Sequence, residues 1–184
     1  MNQTELLLQE YEKHVSAPWA TGLSGQEKVW FIVYPPAQER QVRFRVGDFE
    51  VATQRAHHAW RVVDLTRCFS RWMADHEYRE AYFATPEDLA STLPEFTTSV
   101  ANAIAAELRE ADESTVVALA GVGTLFGLTK FADVLKKVRG GIRGRLAVFF
   151  PGSYEGKYYR LLDARDGWDY LAIPITAFKG ADRA

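Results

Sequence analysis

The chain has 184 residues, of which 47% are apolar and 25% are charged, and its formal net charge is −2. These values are ordinary for a soluble globular protein and exclude disorder, collagen-like repeats and low-complexity architecture. The length predicts one domain over residues 1–184, with an N-terminal helix and loop over 1–27 and a core over 28–175. No run of 18 apolar residues and no secretory leader is evident, and the single cysteine, Cys68, cannot form an internal disulfide. We therefore expect a cytoplasmic protein that does not engage a membrane.

Charge is distributed unevenly along the chain. Residues 74–115 carry ten acidic side chains against Arg79 and Arg109. Residues 130–160 carry eight basic side chains against Asp133 and Glu155. Two interpretations remain open: these are differently charged but merely solvated helix faces, or they form oppositely charged docking surfaces.

The first elements are a short helix, a loop and a buried strand. A partial apolar stripe predicts a helix over residues 4–14, and a stretch rich in Gly, Ser, Pro and Thr predicts a loop over 16–25. Residues 29–34 are continuously β-branched or aromatic, which is typical of a strand buried on both faces. Pro35 and Pro36 close that run.

The next segment combines strand and helix signals. Apolar residues alternate with arginines over 41–46, which predicts a half-exposed strand. Asp48 is a candidate N-cap for a helix that extends to about His57. Residues 60–65 predict a second buried strand, and Ser70 is a candidate cap for the helix after it.

Two helices precede the third strand. Thr85, followed by Pro86 and two acidic residues, predicts a helix start. A further helix opens at Thr97 or Thr98, with apolar residues every fourth position. Residues 116–120 predict the third buried strand.

The C-terminal part adds a helix and three strands. Residues 131–138 have helical apolar spacing, with basic residues in the last turn and two glycines beyond it. Residues 146–150 predict the fourth buried strand. Residues 157–162 and 170–175 predict a final strand pair, with Asp166 and Gly167 as a tight turn.

Strands alternate with helices through most of the chain. This order predicts an α/β fold of three layers: a mainly parallel sheet, helices on both faces and an antiparallel C-terminal edge. Ligands of such sheets bind at the carboxyl ends of the strands. Unusual residues follow the four strands at those ends: Tyr34-Pro35-Pro36, Asp64-Leu65-Thr66, Gly121-Val122-Gly123 and Phe150-Pro151-Gly152-Ser153-Tyr154. They predict a functional face there, although glycine and proline at strand ends also make ordinary turns.

Two glycine-rich segments fall short of phosphate-binding motifs. Residues 152–158 are one residue shorter than a P-loop, and Tyr158 stands where the magnesium-binding hydroxyl belongs. Residues 121–126 have Phe126 in place of the third glycine of a dinucleotide fingerprint. Pro35 and Pro36 have no backbone N–H to donate to phosphate. We predict no cofactor, with a degenerate nucleotide-binding protein as an alternative.

Metal and nucleophile signals are weaker still. His57 and His58 are adjacent, and adjacent helical side chains diverge by about 100°. The turn carrying Asp163, Asp166 and Asp169 could hold a hard cation, but turn chemistry and solvation explain it better. Cys68 fits a small buried apolar side chain. We predict no metal site, no catalytic residue and no enzymatic activity.

Three segments together resemble a known family. They are Tyr34-Pro35-Pro36 with Glu39, residues 119–126 and residues 146–156, whose specific parts are "GVG-x-L-F" and "FFPG-x-Y-x-G". Their order and spacing resemble BrxB, a small component of bacteriophage-exclusion (BREX) defence systems of bacteria and archaea. The resemblance covers roughly residues 28–175.

The resemblance implies a non-catalytic adaptor in antiviral defence. Its main partner would be a PglZ-like protein, with a large ATPase and an adenine-specific DNA methyltransferase as further members of such systems. Its fold would be related to the P-loop ATPase core without the phosphate loop. The candidate partner-binding residues are Tyr34, Pro35, Pro36, Glu39, Gly121, Gly123, Phe126, Phe150, Pro151, Gly152 and Tyr154. A nucleic-acid-binding module that uses the basic segment over 130–160 and its tyrosines remains an alternative.

Overall fold

The computed structural model describes residues 2–164 and 170–177. In these residues the sheet has six strands: β1 (Val29–Tyr34), β2 (Ala59–Asp64), β3 (Thr115–Ala120), β4 (Arg145–Glu155), β5 (Tyr158–Leu161) and β6 (Ile173–Thr176). Five of them are parallel neighbours in the order β2-β3-β4-β1-β6. The last, β5, pairs antiparallel with the end of β4.

Helices connect these strands. They are α1 (Gln3–Ser16), α2 (Glu39–Phe44), α3 (Val46–Arg55), α4 (Cys68–Ala74), α5 (Arg79–Ala84), α6 (Leu93–Glu110) and α7 (Phe131–Val138). Short 3-10 helices lie at Gln26–Lys28, Pro36–Gln38, Pro86–Ser91, Val122–Leu125 and Arg139–Gly141. Within the described part of the chain, no helix combines the length and the apolar character needed to cross a bilayer.

The sheet separates two hydrophobic layers. On one face α1 and α3 pack against β1, β3 and β4, with Tyr11 and Phe49 at the centre of the layer. On the other face α6 and α7 pack against the same strands, with Phe96 and Phe131 among the buried side chains. Because successive strand residues point to opposite faces, a continuous apolar run supplies both layers. The predicted three-layer α/β fold is confirmed.

The predicted strand over residues 41–46 is wrong, because this segment forms α2 and the start of α3. Val42 is fully buried, whereas Phe44 is 92% exposed, so the apolar residues do not share one face as they would in a strand. Asp48 does not cap α3: it lies inside its first turn, where it accepts a hydrogen bond from Arg45 Nε at 2.7 Å. A period of two over six residues is too short to distinguish a strand from a single helical turn.

Several predicted helix starts are also displaced. The Thr97 and Thr98 hydroxyls lie inside α6 and donate to carbonyls four residues earlier, at 3.1 and 3.2 Å. Ser70 lies inside α4 and donates to the Arg67 carbonyl. His57 has a φ of 64° just beyond α3, so the two histidines do not belong to one helix.

The second strand is not buried as predicted. It is an edge strand, and Val62 remains 47% exposed. The predicted antiparallel pairing of the last two strands is wrong as well, since β5 folds back on β4 and β6 joins β1 in parallel. The predicted turn at Asp166 and Gly167 lies outside the described residues.

Candidate functional site

The carboxyl ends of four parallel strands meet on one edge of the sheet. In the sheet registers Asp64 of β2 is opposite Ala120 of β3, and Tyr34 of β1 is opposite Pro151 of β4. We define the carboxyl edge as residues 34–39, 64–66, 121–126 and 150–154. The structure therefore brings together all four strand-end segments that the sequence predicted to meet.

At the end of β1 a buried tyrosine supports two exposed prolines. Tyr34 is buried, and its hydroxyl donates to Glu39 Oε2 at 2.6 Å. Burial, together with the neighbouring Glu39 carboxylate, raises the pKa of Tyr34, so the phenol stays protonated and keeps donating. Pro35 and Pro36 lie between these two residues and are exposed. The two prolines are thus held in place, and neither of them has a backbone N–H to donate.

The ends of β2 and β3 interlock through a glycine. Gly121 has a φ of 76°, and a Cβ placed on it would lie 2.7 Å from Thr66 Oγ1. Thr124 completes the contact, since its hydroxyl donates to the Leu65 carbonyl at 3.1 Å. Only glycine combines this conformation with so close an approach.

An arginine that sequence reasoning did not select crosses this edge. Arg43 of α2 donates to Asp64 Oδ2 at 3.1 Å and to Thr66 Oγ1 at 2.5 Å. Partial burial by itself would raise the pKa of Asp64, but hydrogen bonds from Thr66 and the charge of Arg43 outweigh it and lower that pKa. The strand predicted over residues 41–46 does not lead to this contact, because it is the helix α2 that carries Arg43 to Asp64. No local sequence pattern in this short segment indicates that helix.

The end of β4 continues beyond the sheet into a hairpin. Phe150 is buried and stacks on Phe31, with ring centroids 4.8 Å apart. A Cβ on Gly152 would lie 1.9 Å from the Arg160 carbonyl oxygen of β5. Tyr154 is half-buried, with its ring centroid 4.6 Å from that of Tyr159. The hairpin is thus packed tightly onto the edge.

The candidate residues divide by exposure. Three are exposed: Pro35, Pro36 and Phe126. Three are partly exposed: Glu39, Gly123 and Tyr154. The remaining five are buried: Tyr34, Gly121, Phe150, Pro151 and Gly152. The edge is therefore a small apolar rim carried on a rigid base.

The nucleophile and metal candidates of the sequence are Cys68 and the three aspartates Asp163, Asp166 and Asp169. Burial raises the pKa of the Cys68 thiol, which disfavours the reactive thiolate. Across residues 2–164 and 170–177, no three His, Cys, Asp or Glu side chains are grouped to hold a metal ion. Asp163 is exposed, whereas Asp166 and Asp169 lie outside the described residues.

The basic segment does not form one continuous face. Arg145 is buried beneath Trp19, with its guanidinium carbon 4.7 Å from the ring centroid, and donates to the Ala20 carbonyl. Lys136 and Lys137 lie at the end of α7, before β4 begins. Arg160 pairs with Ser153, which is about 26 Å along β4 from Arg145 at roughly 3.3 Å per residue.

Comparison with known proteins supplies the family. The family model described as BREX protein BrxB matches residues 62–175, more than half of the chain. The match runs from β2 to β6 and includes both the "GVG-x-L-F" and "FFPG-x-Y-x-G" segments, while Tyr34 to Glu39 lie before it. Searches of curated proteins and of solved structures returned no match. The chain therefore belongs to the BrxB family and is a component of a BREX phage-defence system.

Proposed function

We propose that this chain is a non-catalytic adaptor whose carboxyl edge docks a PglZ-like protein. The observation that carries the proposal is the exposed apolar rim of Pro35, Pro36 and Phe126 at the place where a parallel sheet binds its ligands. Aromatic side chains on a rigid support are effective anchors at protein interfaces, because little conformational entropy is lost when they bind.

The buried residues of the edge hold that rim in place. The Tyr34–Glu39 hydrogen bond spans Pro35 and Pro36, and the close approach of Gly121 to Thr66 fixes the loop that leads to Phe126. In this proposal the five buried candidates position the rim and the exposed ones contact the partner. Family membership supports a partner from the same defence system, in which a large ATPase and a DNA methyltransferase are further candidate partners. In this proposal the complex acts in the cytoplasm.

Co-purification of this chain with the PglZ-like protein encoded in the same BREX system tests the proposal. We expect a stable complex. Phe126→Ser should weaken it at least about tenfold, since a central aromatic anchor contributes more than about 1.4 kcal/mol. Val51→Ser is the control, because Val51 is a 44% exposed apolar residue on α3, away from both the carboxyl edge and the acidic helices, and this variant should bind like the parent chain.

Tyr154→Ala gives a second test of the same edge. Tyr154 packs on Tyr159 and is only half-buried, so its loss should leave the fold intact while weakening the complex. A chain that elutes alone from every pairing, or a Phe126→Ser variant that binds as well as the parent, contradicts the proposal.

A degenerate nucleotide-binding protein is a second candidate, favoured by the position of β1. This strand lies inside the sheet between β4 and β6, and a helix-forming connection follows it, as in the strand–loop–helix unit of phosphate loops. Pro35 and Pro36, which follow β1, argue against nucleotide binding because they have no backbone N–H to donate to a phosphate. ATP with magnesium at 100 times its dissociation constant would stabilise such a protein by about 2.7 kcal/mol, so an unchanged melting temperature dismisses it.

A nucleic-acid-binding module receives less support. The basic side chains over 130–160 are divided between the two ends of β4, and Arg145 is buried. Nucleic-acid binding whose affinity falls steeply as the salt concentration is raised would support this candidate.

A further inference from the structure

Within residues 2–164 and 170–177, no strand pairs with the outer edge of β2. In β2 the backbone N–H groups of the odd-numbered residues face β3, as the Ala59 N–H donates to the Ser114 carbonyl and the Leu65 N–H to the Ala120 carbonyl. In a parallel pair the intervening residues direct their backbone groups to the other side. The backbone of Trp60, Val62 and Asp64 therefore faces away from the sheet, and β2 is the last strand on that side.

The strand at the opposite edge of the sheet, β6, is poorly suited to pair with a further strand. There β6 has only four residues, and one of them is Pro174. Proline has no N–H and occupies edge strands with its nitrogen turned outward, which blocks further pairing. By contrast β2 has six residues and no proline. Of the two described edges of the parallel sheet, β2 is the better template for an added strand.

A groove runs beside this edge and suits the side chains of an added strand. It has a volume of about 610 Å³ and lies between β2, α4 and α6. Its apolar lining includes Val63, Trp72, Val100 and Ala103. Trp72 is fixed by Phe96, with ring centroids 5.4 Å apart. Side chains on one face of a strand laid along β2 would enter the groove, while its backbone met Trp60, Val62 and Asp64.

The charges around the groove select the kind of strand. Arg61 is held by Glu107 at 2.7 Å, and Arg43 is held by Asp64, so neither arginine projects freely over the edge. Arg71 and Asp75 of the lining are both exposed and offset each other's charge. The net charge therefore comes from the helices beyond them, which belong to the segment with ten acidic and two basic side chains and whose Glu95 lies 4.0 Å from His76 of the lining. A second copy paired through β2 would bring two such acidic regions together. A basic partner segment would instead be attracted by these acidic helices.

We propose that β2 binds an extended, basic segment of a partner protein as an additional strand of the sheet. This inference deepens the adaptor function proposed above and rests on it for its biological setting. Main-chain hydrogen bonds would supply affinity, while the groove and the acidic helices would supply specificity. The carboxyl edge and the β2 edge meet at Asp64 and Thr66, so one partner can occupy both.

A synthetic peptide tests the proposal on the full chain. The probe is a fluorescein-labelled peptide of about eight residues, the length of a typical strand, that alternates valine and lysine. We expect saturable binding by fluorescence anisotropy at low salt. The same peptide with glutamate in place of lysine should bind at least about tenfold more weakly, because it faces like charge.

Variants of the chain separate backbone pairing from general attraction. Val62→Pro removes an outward N–H without breaking the ladder to β3, and it should weaken peptide binding at least about tenfold. Val62→Thr keeps the N–H and is the matched control. Asp75→Lys should weaken binding and Arg71→Glu should strengthen it, since both side chains are exposed.

A modified peptide keeps the test decisive if Val62→Pro does not fold. Methylating every valine amide, or in a second peptide every lysine amide, leaves the side chains unchanged and blocks one edge of the peptide. If the peptide binds as an additional strand beside β2, at least one of the two methylated peptides should lose binding. Equal binding of both methylated peptides, equal binding of the glutamate peptide, or full binding by a folded Val62→Pro chain overturns the proposal. Self-association that Val62→Pro abolishes also overturns it, because the occupant is then a second copy.

The outcome for the adaptor function is separate. If Val62→Pro leaves the complex with the PglZ-like protein intact and does not bind less peptide, the β2 inference fails and the adaptor proposal stands. If the lysine peptide pairs with β2 but no complex with the PglZ-like protein forms, the adaptor proposal fails and the β2 inference stands.

Discussion

At the level of single residues, the glycines of the carboxyl edge act by two different physical means. Gly121 needs both a left-handed backbone and the absence of a side chain, because Thr66 approaches it so closely. Gly152 lies in an extended strand and is required because the Arg160 carbonyl of β5 approaches where a Cβ would stand. At Gly152 it is therefore the close approach of a neighbouring strand, and not the backbone conformation, that requires glycine.

Gly152→Ala should therefore destabilise the protein although alanine suits a strand. The new methyl group would overlap the Arg160 carbonyl, and the hairpin would have to separate, at a cost of about 2–4 kcal/mol. Urea denaturation measures this cost. Gly47→Ala is the matched control, because nothing lies within 4 Å of its Cβ position in α3 and alanine favours helices by about 1 kcal/mol. Equal stability of the two variants would contradict the close-approach explanation.

At the level of elements, short polar segments are decided by contacts beyond their own sequence. The alternating arginines before α3 fit a strand or a helical turn, and burial of Val42 against the first layer selects the helix. In the longer α1, local sequence and packing agree. Leu7, Tyr11 and Val15 form its buried stripe, and Asn2 and Glu5 form a capping box in which each side chain binds the other's backbone N–H.

Asn2→Ala should weaken α1 and, through its buried stripe, the whole layer. Loss of an N-cap acceptor costs about 1 kcal/mol. Thermal denaturation should show the loss, whereas Asn2→Asp keeps the acceptor and should stay within a few tenths of a kcal/mol of the parent. A parent-like melting temperature for Asn2→Ala would mean that packing alone fixes the start of α1.

At the level of the whole molecule, one sheet supports two hydrophobic layers that share no side chains. Phe149 packs on Phe49 in one layer, and Phe150 stacks on Phe31 in the other. Their backbones are adjacent in β4, so neither layer can open without disturbing the strand that carries both. This coupling supports the single-domain prediction, which only an unfolding experiment can test.

Phe149→Ala and Phe150→Ala should each lower the free energy of unfolding by about 3–5 kcal/mol, since each leaves a large cavity. Urea transitions followed by tryptophan fluorescence and by far-ultraviolet circular dichroism should stay coincident in both variants. Phe83→Ala, at an exposed site, should change stability by no more than about 0.5 kcal/mol. Separate transitions for the two probes would show that the layers unfold independently.

The sequence by itself determined the buried strands and the edge where they end. Continuous apolar runs identify β1, β3 and β4 because only a strand covered on both faces tolerates them. Parallel order then places their proline- and glycine-rich ends together. Tertiary structure alone decided that β2 is an open edge, that β6 joins β1, and that α2 carries Arg43 to Asp64. These features depend on which distant segments become neighbours, and local patterns of polarity do not encode that choice.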